Sequence, residues 1–487
     1  MAIMNATCQR KGIAIKASIA LLVVLLLMPF WGCSGRNVQK ASIPTTPESP
    51  VQGQYDSGYR QQAEILTGAE QFALYLPLLQ GKRVGVVANH TSVIGRRHLS
   101  KCPNALSCAD MAASLTSIPP KKTDAASAVV KESASQTRFQ AFLQPLPGTA
   151  DSALYVHLVD MLLDSGIRLQ KVFSPEHGFR GQAEAGAKVN SQIDSKTGLP
   201  LVSLYGNHKK PTPEDLQDID ILLFDLQDVG LRFYTYISTL HYVMEACAEA
   251  GIPVIVLDRP TPHAAYTDGP VLDTACCRSF VGMHPVPVVY GMTIGEYARM
   301  IQGEHWLKNG IDCDLSVIPM KHYSRRTEYA FPVAPSPNLR SMKAIYAYPS
   351  LCFFEGTPVS LGRGTWQPFE CFGFPGSPVG DYAFTPEPIK GLSENPPCKG
   401  QECRGFRIPD SIIEKIPEKI CWDYLIEMYA VYPEKKKFFT AFFSKLAGTT
   451  RLADAVCEGM EEEELRASWQ KELEDFEKIR QKYLLYD

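Results

Sequence analysis

The chain has few of the patterns that declare an enzyme's chemistry. Its 14 cysteines form no CxxC pair and stand beside no histidine pair, so there is no zinc signature. No GxGxxG follows the first strand and GxxxxGK[ST] occurs nowhere, which disfavours a nucleotide cofactor. Neither a G-x-S-x-G elbow nor a metal triad is present, which argues against an esterase or deacetylase. Charge of one sign is lacking too: the net charge is −3, no electrostatic case for nucleic acid. What remains is 487 residues of ordinary globular composition, 45% apolar and 21% charged, enough for two or three domains.

The N-terminus reads as an export segment. Arg10, Lys11 and Lys16 precede an apolar run, residues 19–31, too short to span a bilayer comfortably. The run ends in Trp31-Gly32-Cys33, which resembles a bacterial lipoprotein signal with Cys33 as the lipidated residue. A plain signal peptide or an anchoring helix is the alternative. The lipoprotein reading places the protein in the cell envelope, periplasmic or attached to a membrane by its lipid. Residues 34–60, rich in Pro, Ser, Gln and Gly, read as a flexible tether. Two local cysteine pairs, Cys102/Cys108 and Cys398/Cys403, would be able to close small disulfides in an oxidising compartment.

From residue 61 to about 325, strands and helices alternate, as in a parallel sheet covered by helices on both faces. The strands read at 83–88, 169–173, 201–206, 219–226, 252–257 and 315–319. Thr212 and Thr293 are expected as helix N-caps, and Glu296 as the structural partner in a capping box. Residues 99–156 interrupt the first strand–helix unit. They are Ser/Ala/Pro/Lys-rich, weakly periodic, and expected to be a largely mobile insertion, with a small cysteine-clamped subdomain as the alternative.

In such sheets ligands bind beyond the carboxyl ends of the strands. Four of those ends carry polar clusters: Asn89-His90, Glu176-His177, Asp225 with Asp228, and Asp258-Arg259. Any one of them is explained as a cap or turn. Together they point to a cleft. Glu176 and His177 lie between Pro175 and Gly178, where the chain must leave the sheet sharply. After residue 325 the style changes. Prolines and aromatics rise, and glycine-punctuated loops carry Glu355, Arg363 and Trp366, a composition suited to gripping a polar ring-shaped ligand. An all-β core with glycine turns would also produce it. Residues 461–483 read as a solvated packing helix.

The motifs Ser174-Pro175-Glu176-His177-Gly178-Phe179-Arg180-Gly181, Phe224-Asp225-Leu226-Gln227-Asp228-Val229-Gly230, Arg232-Phe233-Tyr234-Thr235-Tyr236, Leu257-Asp258-Arg259-Pro260, Ser336-Pro337-Asn338 and Gly362-Arg363-Gly364-Thr365 resemble those of a family of bacterial exo-β-N-acetylmuramidases. The resemblance runs from about residue 79 to the C-terminus, apart from the insertion. It implies a Rossmann-like α/β domain over residues 61–325 and a smaller, partly β-barrel α+β domain over residues 326–487, with the active site between them. It also implies release of N-acetylmuramic acid from the non-reducing end of peptidoglycan fragments, without a cofactor or metal. Hydrolysis of a β-1,4 glycosidic bond needs an acid for the leaving oxygen and a second group for the nucleophile or water. Glu176 is the expected acid and His177 its helper. Asp225 or Asp228 is the expected partner, unless the substrate's own acetamido group assists. The lactyl carboxylate calls for an arginine, with Arg180, Arg232 and Arg363 as candidates. Asn89, Tyr234, Tyr236, Asp258, Arg259 and Glu355 complete the expected substrate contacts. The competing reading is a wall-binding surface lipoprotein without turnover.

Overall fold

The computed structural model describes residues 64–101, 145–148, 150–176, 178–180 and 192–487. Cys33, His177 and the pair Cys102/Cys108 lie outside them.

The described strands are β1 (Val84–Ala88), β2 (Val93–Gly95), β3 (Tyr155–His157), β4 (Leu169–Ser174), β5 (Gln192–Ile193), β6 (Pro200–Ser203), β7 (Ile221–Asp225), β8 (Val254–Leu257), β9 (Leu315–Ile318), β10 (Cys371–Pro375), β11 (Tyr382–Phe384) and β12 (Cys403–Arg407). The main sheet has the order β5-β6-β4-β1-β7-β8-β9. Six of its strands are parallel, and β5 alone runs antiparallel at the edge. Counted along the chain, the parallel strands stand 3-2-1-4-5-6, the doubly wound order of Rossmann folds.

The strand sequences explain this placement. Residues in β1 and β7 are buried throughout, because helices cover both faces and no solvent side is left for polar residues. Successive side chains then go to opposite cores. Leu222, Phe224, Val254 and Val256 join one apolar cluster, while Ile221, Leu223, Ile255 and Leu257 join the other. The helices Phe72–Leu79 and Leu158–Asp164 seal the second face, and Tyr236–Ala250 and Ile294–Gly303 the first. Thr212 and Thr293 cap their helices by accepting from Asp215 N and Glu296 N. Glu296 is fully structural, held by Arg325 and by the backbone of Thr293 and Leu485.

The insertion proves shorter than its sequence suggests. Tyr155–His157 pairs with Val93–Gly95, and Leu146 is buried, its N–H donating to the Arg340 carbonyl. Leu146 and the strand Tyr155–His157 therefore pack onto the fold.

The C-terminal part adds a three-stranded antiparallel sheet, β10-β12-β11, where the resemblance implies a partial barrel. Three strands are too few to close one. Helices follow at Asp423–Val431, Ala441–Ala447, Arg451–Cys457 and Glu462–Arg480. Leu465, Trp469, Leu473 and Phe476 form the buried stripe of the last. Its aromatic residues share one core with the first face of the main sheet, so all described residues form one compact unit. Cys398 and Cys403 are free thiols that donate to the Pro358 and Gln401 carbonyls, each at 3.8 Å.

Candidate active site

Beyond the carboxyl ends of β4 and β6, and under the C-terminal part, lies a cavity of about 460 Å³. Glu176 reaches it from the turn after β4. Gly178 makes that turn with a φ of +78°, a conformation side-chain-bearing residues avoid. The Thr235 hydroxyl donates to Glu176 Oε2 at 2.9 Å. Tyr205, just past β6, stands beside the same carboxyl, and burial together with that neighbour raises its phenol above the usual range.

The opposite wall comes from the C-terminal part. Glu355 and Arg363 both line the cavity, and Arg363 grips one oxygen, Glu355 Oε1, through Nε at 2.8 Å and through Nη2. The Arg363 guanidinium also lies 5.0 Å from the Phe369 ring centroid. Phe233, Phe280, Tyr348 and Phe442 supply apolar wall. Lys209 adds a second cation, its Nζ 4.7 Å from the Phe280 ring centroid. Among the described residues, Glu176 and Glu355 are the carboxyls that face this space.

Of the residues expected from the sequence, Glu176, Tyr234, Glu355 and Arg363 meet here. Tyr234 is pinned by its hydroxyl donating to the Pro335 carbonyl at 2.7 Å. His177 lies outside the described residues, and the other described ones are placed elsewhere, each for an evident physical reason. Asp225 is sealed at the end of β7 in a two-pronged pair with Arg259, at 2.6 and 2.7 Å. Asp258 caps the helix Ile294–Gly303, accepting from Gly295 N and from the Thr293 and Tyr486 hydroxyls. Burial raises its carboxyl to about 7. Asp228 accepts from Gly230 N and from Tyr290, and burial lifts it to about 6. Asn89 is used up locally, by the Tyr236 hydroxyl at 2.6 Å and by Thr91. Tyr236 is buried beneath Tyr234, ring centroids 4.7 Å apart.

The two remaining arginines also point away from the cavity. Arg232 is fully buried and donates to the carbonyls of Pro270, Val286, Leu446 and Ala447, clamping the C-terminal part to the sheet. Desolvation lowers it to about 9. Arg180 pairs with Asp194 and Asp160 beside a separate cavity of about 230 Å³.

Several lining residues were not singled out from the sequence. Thr235 and Asn338 stood inside quoted motifs without a role. Tyr205 stood inside the strand read at 201–206, with no role assigned to it. Lys209 belongs to no motif, and its position past β6 was the one available signal.

A doubly wound sheet with a carboxyl-bearing cavity at its carboxyl edge is the architecture of an α/β enzyme. Comparison with known proteins makes the class definite. The family model described as exo-β-N-acetylmuramidase NamZ, N-terminal, matches residues 148–343, and its C-terminal companion matches residues 346–486. The chain belongs to this family and is a glycosidase. A curated relative, the peptidoglycan β-N-acetylmuramidase NamZ of Bacillus subtilis (strain 168), is 40% identical over 353 residues, 67% of this chain and 82% of its own. Two crystal structures of DUF1343 family proteins from Bacteroides fragilis NCTC 9343 also match. Their TM-scores are 0.68 and 0.65 at 38% and 26% identity, each covering 87% of this chain and 99% of that one.

Proposed function

We propose that this enzyme removes N-acetylmuramic acid from the non-reducing end of peptidoglycan fragments, with Glu176 as the general acid. The carrying observation is that Glu176 and Glu355 face one cavity at the carboxyl edge of the sheet, and that the Arg363 guanidinium already engages Glu355. Glu176 accepts from the Thr235 hydroxyl and faces the open cavity, where a carboxyl acid can reach a glycosidic oxygen. It passes its proton to that oxygen as the C1–O bond breaks. Water supplies the hydroxyl for C1, and its proton leaves to solvent or base. The walls offer ring faces for the sugar, and Arg363 and Lys209 are the cations within reach of a lactyl carboxylate.

The reading extends to location. The Arg/Lys-flanked apolar run ending at Gly32-Cys33 supports export and lipidation at Cys33. Metabolic labelling with a fatty acid, lost in Cys33→Ala, tests it.

The test of activity uses a form lacking residues 1–33, a chromogenic β-N-acetylmuramide and the matching glucosaminide. Release from the muramide is expected, with little from the glucosaminide. No release from the muramide sinks the proposal.

A further inference from the structure

Among the described residues, two aromatic rings are exposed. Trp366 is 72% exposed and Phe442 43%, while every other Phe, Tyr and Trp is buried or half-buried. Phe442 lines the Glu176 cavity itself. Trp366 lines neither this cavity nor a second, neighbouring hollow of about 160 Å³. The two hollows share Ser336. Arg340 lines the second one, and its guanidinium lies 5.8 Å from the Trp366 ring centroid. No acidic side chain among the described residues pairs with Arg340.

Both groups stand on held backbone. Arg340 precedes Ser341, the N-cap of the helix Met342–Leu351, and its carbonyl accepts from Leu146 N at 2.6 Å. Trp366 sits in a loop fixed by Thr365 Oγ1 donating to the Gly362 carbonyl and by the Tyr382 hydroxyl donating to Gln367. An indole left in water costs free energy unless something covers it. A ring face beside an uncommitted guanidinium suits a flat, partly apolar ligand bearing a carboxylate.

We infer that Trp366 and Arg340 form a binding platform for the leaving-group side of the glycan, beyond the sugar that is cut off. An N-acetylglucosamine or N-acetylmuramic acid ring stacks on the indole, and the lactyl or peptide carboxylate of the next muramic acid meets Arg340. The inference rests on the muramidase reading and adds to it a preference for chains over short fragments. It follows from position: the path from Glu176 through Ser336 leads to Arg340 and Trp366, so whatever extends from the cleaved bond in that direction passes over them.

The experiment compares two substrates in the same enzyme preparation. One is p-nitrophenyl β-N-acetylmuramide, whose leaving group is one small ring. The other is a muramic-acid-headed tetrasaccharide of alternating N-acetylmuramic acid and N-acetylglucosamine. Trp366→Ala is expected to lower the ratio of kcat/KM on the tetrasaccharide to that on the chromogenic substrate about tenfold, mainly through KM. Trp366→Phe restores most of the ratio, and Arg340→Ala lowers it in the same direction. A ratio within about twofold of wild type in Trp366→Ala, with the wild type active, overturns the platform and leaves the muramidase reading standing. Wild-type inactivity on both substrates overturns both.

Discussion

The two halves of the sheet edge began alike and ended differently. Each presents acidic residues just past its parallel strands. On the β4/β6 side, Glu176 accepts from the Thr235 hydroxyl and faces open space. On the β7/β8 side, Asp225, Asp228 and Asp258 are enclosed, each with its partners supplied by the fold. The difference is in what covers them. Arg259, Tyr290 and the helix beginning at Ile294 close the second half, while the first is roofed by loops that leave a cavity. A polar strand end therefore marks where chemistry can be placed, and the roof decides whether it is.

The largest expected effect tests the open half. Glu176→Gln should lower turnover about 10²- to 10⁴-fold, the usual span for a lost general acid. The deficit should be greater on a disaccharide than on a p-nitrophenyl muramide, whose leaving group needs less protonation. Unfolding midpoints should barely move. Full activity in this variant would remove Glu176 from the role.

Asp225→Asn probes the closed half, and its effect should appear in stability. It leaves Arg259 buried without its counter-charge, a loss of about 3–5 kcal/mol. Urea unfolding measures it. If that variant folds normally and loses only turnover, the two halves are less distinct than the geometry implies.

Asp228 offers a pH test of the same enclosure. Its carboxyl is raised by burial from 3.8 to about 6. Between about pH 4 and 6 the folded state keeps a proton that the unfolded chain has released, so this group's contribution to stability declines as pH rises through that window. The whole decline is about 3 kcal/mol, from a shift of about two pH units. Asp228→Asn cannot titrate, so its stability relative to wild type should improve by up to that amount between pH 4 and 7. A relative stability independent of pH would show that Asp228 is not sealed.

The sheet was legible because its causes are local. Buried parallel strands are apolar runs, and Thr212, Thr293 and Gly251 mark helix ends with their own backbone chemistry. The division of the polar strand ends was not legible, because it depends on partners far along the chain. Arg232 resembled a carboxylate-binding arginine until Leu446 and Ala447, more than 200 residues away, supplied its acceptors. Arg363 looked equivalent in sequence, yet it faces the cavity because its partner, Glu355, is also on the rim. Lys209 carried no motif, since a cation on an aromatic ring needs no fixed spacing from anything.

Charge recognition on the open half gives the next effect. Removing a charge-assisted contact to the lactyl carboxylate costs about 1.5–3 kcal/mol, or about ten- to hundredfold. Lys209→Ala and Arg363→Ala should each erode the preference for the muramide over the glucosaminide, and the one that contacts the carboxylate should erode it more. Equal losses on both sugars would assign these cations to structure.

Thr235→Val is the mildest change and the most diagnostic for the acid. The hydroxyl donates to Glu176 Oε2 at 2.9 Å, which favours the charged carboxylate over the protonated acid. Valine keeps the shape and removes the donor, at a cost of about 1 kcal/mol. If Glu176 must be protonated to act, the alkaline limb of the kcat/KM profile marks its loss of that proton, and removing the donor should move the limb to higher pH. If Glu176 acts only as a charged group, its acidic limb should move instead. A profile that drops in height without either limb moving would mean that Thr235 holds the turn in place and does not tune the carboxyl.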